Sequence, residues 1–593
     1  MNGLANKNIR EQLQSALSCF QQSQFIESEA ISRNILAKTP DQFDALHLLG
    51  VIKYQTQDYE NAKIFLNRAR QINPINIQLL NTLACVYKAL GDITESENLY
   101  IETLKINPLY PDAISNYLLL LEQNGKYPKI IDLLEPQISQ FPENTQFLRS
   151  LAYSYSVAGN FDLAVKTINQ AINVRPIPAN LNLLNTKGAI FSAHQKYEEA
   201  CELFRQIIEI DASHLYANIN IAYALQKLGN LKHAENHFKI SLKLLNNSQS
   251  KPVNNNPPSI ETLSSKIQFM LATIKLTQGN YKEGWKNYAK RPSILLQKHL
   301  TPLENINLQG DLSNKRILII HDQGLGDELF FLRFIPQLKK RGAHIFYVSS
   351  PQLVKLISTN PDIEDVIDNK NVTTNENKTS YDYKFSVADL PLLLKCYSNQ
   401  DIPKALKLTA DSQRTKMIRK ELQNKANNSF IGITWRAGAE KQHGQGQDTL
   451  EILDKKISLN VLTKELANIF TGHPVTFVIL QRNPKQEELE YLRTHLDFNI
   501  IDYSHYNEDL MQMMPLLEIL DDYIGVSNTN IHLRGCLDKK ATVLLPYPPE
   551  WRWQLKENHS PWYETFTLIR QAEDGSWRKS FDHYKQSLNS QTS

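Results

Sequence analysis

The residues best suited to chemistry stand where apolar runs end. The run Arg316-Ile317-Leu318-Ile319-Ile320 leads through His321 and Asp322 into the loop Gln323-Gly324-Leu325-Gly326-Asp327-Glu328. Gly324 and Gly326, two apart, make a tight turn where backbone can approach a ligand closely. Asp327 sits where this loop enters a helix. A carboxylate there can take a proton as a general base, and it is equally an ordinary helix cap. The two roles conflict, because the helix dipole favours the charged form and so weakens the base. Glu328, the adjacent carboxylate, is the second candidate. No third glycine follows at the dinucleotide spacing, and no Gly-Lys-Ser/Thr follows as in a Walker loop. Arg436 closes the apolar run Phe430-Ile431-Gly432-Ile433-Thr434-Trp435. A guanidinium at a strand end is either a phosphate contact or a solvated loop arginine. Gln481 ends the next apolar run and can line the same place. Asn528 and Thr529, after Ser527, read as the N-cap region of a helix whose free N–H groups suit a diphosphate. His532 follows in that helix, as a ligand-side group or as a packing residue. Asp521-Asp522 precedes a strand rather than ending one, and reads as a helix-end turn rather than a metal site.

Alternating strands and helices must hold these groups. Leu325, Leu329, Leu332 and Ile335 form a helical stripe. The next run, from Gly342 to Val348, completes a βαβ unit. Short strand candidates follow at 365–368 and 383–387, with a polar insertion at 369–380 between them. A second series has strands at 430–436, 475–480, 500–502, 523–526 and 541–545, with helices at 459–470, 486–496 and 510–520 between them. Such alternation implies parallel sheets covered on both faces, with ligands beyond the C-terminal strand ends. The expectation is two lobes, 314–423 and 424–593, the latter ending in a C-terminal helix, with a site in the cleft between them. Trp551, Trp553 and Trp562 read as packing for the lobes, with stacking on a base or sugar as the alternative.

The chain before these lobes repeats itself. Pro40, Pro74, Pro108, Pro142 and Pro176 are each 34 residues apart, among only 26 prolines in 593 residues. Gly91, Gly125 and Gly159 keep that register, as do the small residues Ala62, Ser96 and Ala164, then Ala200 and Ala234 after a two-residue insertion near Ile177-Pro178. A plain helical bundle has no reason to keep a fixed period. The pattern resembles the tetratricopeptide repeat, in which small residues let paired helices approach and proline ends each pair. Stacked pairs give a solenoid with a concave face that typically takes a peptide or partner protein. The expected divisions are a solenoid over 1–245, an Asn/Pro-rich linker over 246–259, and a final helix pair over 260–292 that docks on the second half.

Composition sets limits. The 65 basic and 62 acidic residues leave a net charge of +3, which gives no electrostatic case for nucleic acid or for a membrane surface. The cysteines, five and widely spaced, show no zinc or CxxC spacing and read as reduced thiols in a cytoplasmic protein. There is no signal-peptide core, and no run approaches the roughly 20 apolar residues of a membrane helix.

Three motifs carry a second resemblance. The loop at 323–328, the segment Gly432-Ile433-Thr434-Trp435-Arg436 and the segment 527–533 resemble heptosyltransferase-like glycosyltransferases of family nine. The tail Leu545-Pro546-Tyr547-Pro548-Pro549-Glu550-Trp551-Arg552-Trp553, with Ser560-Pro561-Trp562-Tyr563, is similar to bacterial proteins that join tetratricopeptide repeats to such a domain. The resemblance implies an α solenoid followed by an α/β GT-B fold of two Rossmann-like lobes. It further implies an inverting, metal-independent mechanism and a nucleotide-sugar donor, with no cofactor. The acceptor it implies is a surface glycan or, in repeat-bearing members, a protein. Asp327 matches the base position. Gly324, Gly326, Arg436, Gln481, Ser527, Asn528, Thr529 and His532 form the implied donor-binding set. Ser527 departs from the family's usual aspartate, which motivates the rival expectation: a scaffold that kept the fold and lost the chemistry.

Overall fold

Four of the repeats begin from a polar cap at one register position. Gln42 Oε1 accepts from the Ala45 N–H at 2.7 Å, Asn76 Oδ1 from Leu79 at 2.9 Å, Asn144 Oδ1 from Phe147 at 3.1 Å and His214 Nδ1 from Ala217 at 3.1 Å. These bonds satisfy donors that a helix start leaves open. The structure, a computed structural model, describes residues 2–174, 180–247, 259–297, 299–371, 380–426, 428–437, 455–555 and 558–592. The Pro176 register position and its insertion, residues 248–258 of the linker and residues 372–379 of the polar insertion lie outside them.

The repeat helices are α1 (Asn2–Gln21), α2 (Phe25–Lys38), α3 (Phe43–Gln55), α4 (Tyr59–Ile72), α5 (Ile77–Ala89), α6 (Ile93–Ile106), α7 (Pro111–Gln123), α8 (Tyr127–Leu134), α9 (Thr145–Val157), α10 (Phe161–Val174), α11 (Leu181–Ala193), α12 (Tyr197–Ile210), α13 (Leu215–Lys227) and α14 (Leu231–Asn247). The turn inside each pair needs a left-handed residue. Gly91, Gly125, Gly159 and Gly229 supply it, and so do Ser23, Gln57 and Gln195, each with positive φ. The non-glycine residues bear a strain of about 1 kcal/mol that glycine avoids. The small positions Ala62, Ser96, Ala164, Ala200 and Ala234 are all fully buried. Ser96 Oγ donates to the Ala84 carbonyl at 2.8 Å, which ties the two helices of its pair. The fourth repeat departs from the pattern. Its small position is Ile130, and α8 has only 8 residues, because Pro136 cannot continue the helix.

The described residues form two compact units, one through Lys196 and one from Tyr197 onward. The first has its own apolar core, from Leu46 to Ile190. The second holds α12–α14, the pair α15 (Ile260–Thr277) and α16 (Tyr281–Tyr288), and two parallel sheets. The last repeats before the linker therefore share a unit with the sheets. Tyr547 lies so close to the α13–α14 turn that a Cβ on Gly229 would come within 1.9 Å of its hydroxyl.

The first sheet has β1 (Arg316–Ile320), β2 (His344–Ser349), β3 (Asp365–Asp368) and β4 (Tyr383–Ser386), in the order β3-β2-β1-β4. The second has β5 (Ser429–Thr434), β6 (Val475–Ile479), β7 (Asn499–Asp502), β8 (Asp522–Val526), β9 (Ala541–Leu545) and β10 (Phe566–Arg570), in the order β10-β9-β8-β5-β6-β7. Every pairing is parallel. Counted from β5, the second order is the doubly wound 3-2-1-4-5-6, which opens a crevice where the order reverses, between β5 and β8. The edge strand β10 is an element the sequence reading did not include, because its residues follow directly on an aromatic tail.

The corresponding reversal in the first sheet, between β1 and β4, is filled by the chain itself. Arg291, just after α16, is 1% exposed. Its Nε meets Asp322 Oδ2 at 2.6 Å, past the end of β1, and its Nη1 meets Asp389 Oδ1 at 2.6 Å, past the end of β4. Trp285 of α16 packs edge-on against Trp551 at 5.5 Å and Trp562 at 6.1 Å. The segment between β9 and β10 thus crosses from the second sheet to α16 and to the helix Leu325–Phe331, where Phe330 lies 4.7 Å from Trp562. No helix among the described residues is long and apolar enough to cross a membrane.

Candidate functional site

The loop after β1 takes a different shape from the one its glycines imply. Gly324 is extended, with φ −89°, and Gln323 carries the positive φ of 63°. The Gln323 side chain is fixed by the Tyr288 hydroxyl at 2.8 Å. Gly326 does permit a close approach, and His532 makes it: a Cβ there would lie 2.9 Å from His532 Cδ2. Asp327 spends one carboxylate oxygen on the helix, where Oδ2 accepts from the Gly324 N–H at 3.2 Å. The other oxygen, Oδ1, is ion-paired with Arg552 from the second lobe. The Asp327 side chain keeps 25% exposure, so it remains reachable from solvent. Glu328 is fully buried and accepts from Ser349 Oγ at 2.7 Å and the Ser350 N–H at 3.2 Å. It holds the end of β2 and is closed to a substrate.

In the second lobe, β5 and β8 run side by side, with Thr434 level with Gly525, so their following residues emerge together. Gln481 Oε1 accepts from both the Trp435 and Arg436 N–H groups at 3.0 Å. It therefore clamps the end of β5. Arg436 is bound on its own lobe: Nε and Nη2 meet Glu488 at 3.1 and 3.0 Å, and Nη2 also donates to the Asn483 carbonyl at 2.7 Å. It is neither a solvated arginine nor an uncommitted cation. Asn528 caps the helix Thr529–Cys536 by accepting from the Ile531 N–H at 3.1 Å, and its Nδ2 donates to Thr434 Oγ1 at 2.9 Å. Thr529 is the first residue of that helix. His532 is 3% exposed, its Nδ1 lies 2.8 Å from Tyr563 Oη, and burial pushes its pKa down to about 3. It is a neutral histidine packed against Gly326. Asp521 and Asp522 lie at the opposite end of β8, where Asp521 Oδ2 accepts from the Phe430 N–H at 2.8 Å.

Ser527 leads to residues that the sequence reading did not single out. Its Oγ donates to Glu550 Oε1 at 2.7 Å. Glu550 also accepts from Trp553 Nε1 at 2.9 Å and is ion-paired with Lys455. Burial alone would raise the pKa of this carboxyl, but Lys455 and Ser527 outweigh it and hold it below the usual carboxylate range. Lys455, Ser527 and Glu550, with walls from Leu544, Leu545, Pro546, Pro548 and Pro549, line a small crevice of about 10 Å³ at the C-terminal ends of β8 and β9. Arg552, 3.5 Å from Glu550 and paired with Asp327, joins this crevice to the first lobe. A signal was present: Glu550 and Arg552 alternate with tryptophans in a segment too apolar to leave charges unpaired. Lys455 carried none. Among the described residues, no group of His, Cys, Asp and Glu could hold a metal ion.

Comparison with known proteins matches two stretches, 43–76 and 77–107, to models of the tetratricopeptide repeat. Protein FlbA of Caulobacter vibrioides is 22% identical over 582 residues, covering 93% of this chain and 91% of that protein. A tetratricopeptide repeat protein from Parabacteroides merdae is similar at 18% identity and a TM-score of 0.35, over 44% of this chain and 98% of that one. A glycosyl transferase family 9 structure from Veillonella parvula is similar at 12% identity and a TM-score of 0.35, over 48% of this chain and 91% of that one. Neither structural likeness is strong enough to carry a function.

Proposed function

We propose that the protein is an inverting, metal-independent glycosyltransferase of the GT-B type. Its donor is a nucleoside-diphosphate sugar, and its acceptor is a protein recruited by the tetratricopeptide repeats. The observation that carries this reading is the charged cluster at the C-terminal ends of β8 and β9, beside the β5/β8 reversal of a doubly wound sheet. It holds Lys455, Ser527 and Glu550 and is joined through Arg552 to Asp327. Lys455 and the N–H groups that open the helix Thr529–Cys536 would neutralise the leaving diphosphate. The acceptor oxygen attacks the anomeric carbon from the side opposite the diphosphate. The bond from that carbon to the phosphate oxygen breaks, and its electron pair leaves with the nucleoside diphosphate. The acceptor's hydroxyl proton passes to Asp327. Arg436 and Gln481 serve the site by fixing the end of β5, whose neighbour Thr434 orients Asn528.

A second reading is a tetratricopeptide-repeat scaffold that keeps this fold without turnover. The observation favouring it is that Lys455, Arg552 and Arg436 are each already paired with a carboxylate. Thermal unfolding of the full chain with a panel of nucleoside-diphosphate sugars separates the two. A ligand at 100 times its Kd adds about 2.7 kcal/mol of stability. A shift with one sugar nucleotide is the result expected of the enzyme, and no shift with any of them is the result expected of the scaffold.

A further inference from the structure

Arg552 is a buried cation whose hydrogen bonding is incomplete. Its residue exposure is 5%, and its guanidinium lies 4.3 Å from the centre of the Trp551 ring and 5.0 Å from that of Phe330. Those two rings hold its plane. Nη2 is on Asp327, Nη1 is 3.5 Å from Glu550, and Nε has no hydrogen-bond partner. Glu550 is already engaged by Lys455, Ser527 and Trp553, so it offers Arg552 little more. Arg291 and Arg333, also buried, each leave one guanidinium nitrogen unpartnered too, but Arg552 is the one of the three that lies beside Asp327 and Glu550, and its fork of donors fits a phosphate better than a single carboxylate oxygen does.

We infer that Arg552 is a latch between the two halves of the site, an inference that rests on the glycosyltransferase reading. In the structure its guanidinium holds Asp327. A diphosphate entering the crevice beside Glu550 takes the guanidinium, and Asp327 is then free to receive the acceptor's proton. The carboxylate and the diphosphate compete for one cation, so each weakens the other by the same factor. The device imposes an order, with the donor binding before the base is released, and so guards the base against idle proton transfer.

Competition of this kind makes a counterintuitive claim: removing the charge of Asp327 should tighten diphosphate binding. Calorimetric titration of the full chain with ADP, GDP, UDP and CDP tests it on wild type, Asp327→Asn, Asp327→Ser and Arg552→Lys. Both Asp327 replacements keep a side-chain oxygen for the helix start, and the serine gives a second reading should the asparagine variant melt early. The expected result is about fivefold or more tighter binding in both Asp327 variants, with weaker binding in Arg552→Lys. Equal affinity in wild type and the Asp327 variants, or an Arg552→Lys variant that binds as wild type does, overturns the latch and leaves the crevice reading standing. No binding of any diphosphate to any variant overturns the crevice reading, and the latch with it.

Discussion

His532 is a titratable group sealed where the two lobes meet, with Glu550, Lys455 and Arg333 as its charged neighbours. Burial is the main cause that holds its pKa at about 3, while Glu550 works against the shift. Unfolded, the same imidazole titrates near 6.5, so between about pH 6.5 and 3 the unfolded chain binds a proton that the folded chain refuses. Stability is therefore full above pH 6.5 and falls as pH drops through that window, at up to 1.36 kcal/mol per unit. From pH 6.5 to 5 the loss is about 2 kcal/mol. Denaturant melts at those two pH values should show it in wild type and show most of it gone in His532→Gln. An equal loss in both would place the linkage elsewhere. At this scale the sequence revealed positions better than partners. Asp327, Arg436, Gln481 and Asn528 were legible because each stands at a strand end or helix start. What each one touches was not. Arg552 pairs with Asp327 across 225 residues of chain, and the Arg436–Glu488 pair spans 52. No local pattern encodes such a distance.

Helix α16 shows how much an element's end can matter. The polar residues after it place Arg291 between Asp322 and Asp389, all three buried. Burial raises the pKa of Asp389 against the pull of Arg291, and the guanidinium bridges the two carboxylates where water is excluded. Removing it leaves them unpaired, at a cost of about 3–5 kcal/mol. Arg291→Met should destabilise the full chain by that amount in denaturant melts, with Asp389→Asn milder. A change under 1 kcal/mol for Arg291→Met would mean that water or another cation reaches the pair. The elements themselves were largely visible in sequence. Continuous apolar runs mark the buried strands, the 3.6 period marks the helices, and the 34-residue spacing of Pro40, Pro74, Pro108 and Pro142 marks the helix pairs. The short α8 was less so, because its first register residue, Tyr127, looks normal and only Pro136 signals the stop.

Across the whole molecule, the repeats divide between the two units. Helices α1–α11 form one body around their own core. The repeats from α12 on, and the pair α15–α16, belong with the sheets. Neighbour contacts carry the stability of such stacks, so residues 1–196 expressed alone should melt cooperatively as a helical fragment. The remaining fragment, from residue 197, should bind the same nucleotides as the full chain. A disordered first fragment, or a second one that loses nucleotide affinity, would show that the units are not independent. The sequence marked a division at the Asn/Pro-rich stretch because composition is what a sequence displays. Packing between distant segments, such as Tyr547 on the α13–α14 turn, decides which repeats travel with which sheet.

The proposed reaction is sugar transfer at the ends of β8 and β9, beside the β5/β8 reversal, with Asp327 as the base. Its most direct test is the rate at which nucleoside diphosphate is released from the sugar nucleotide that stabilises the chain, in wild type and in Asp327→Asn, with melts confirming equal folding. With no protein acceptor supplied, water taking the acceptor's place would pass its proton to the same base. Loss of a general base costs about 10² to 10⁴ in rate. A fall of that size is expected in Asp327→Asn, with the sugar nucleotide still bound. Release within a factor of about three of wild type would contradict it and leave Asp327 as a helix cap and ion-pair partner alone.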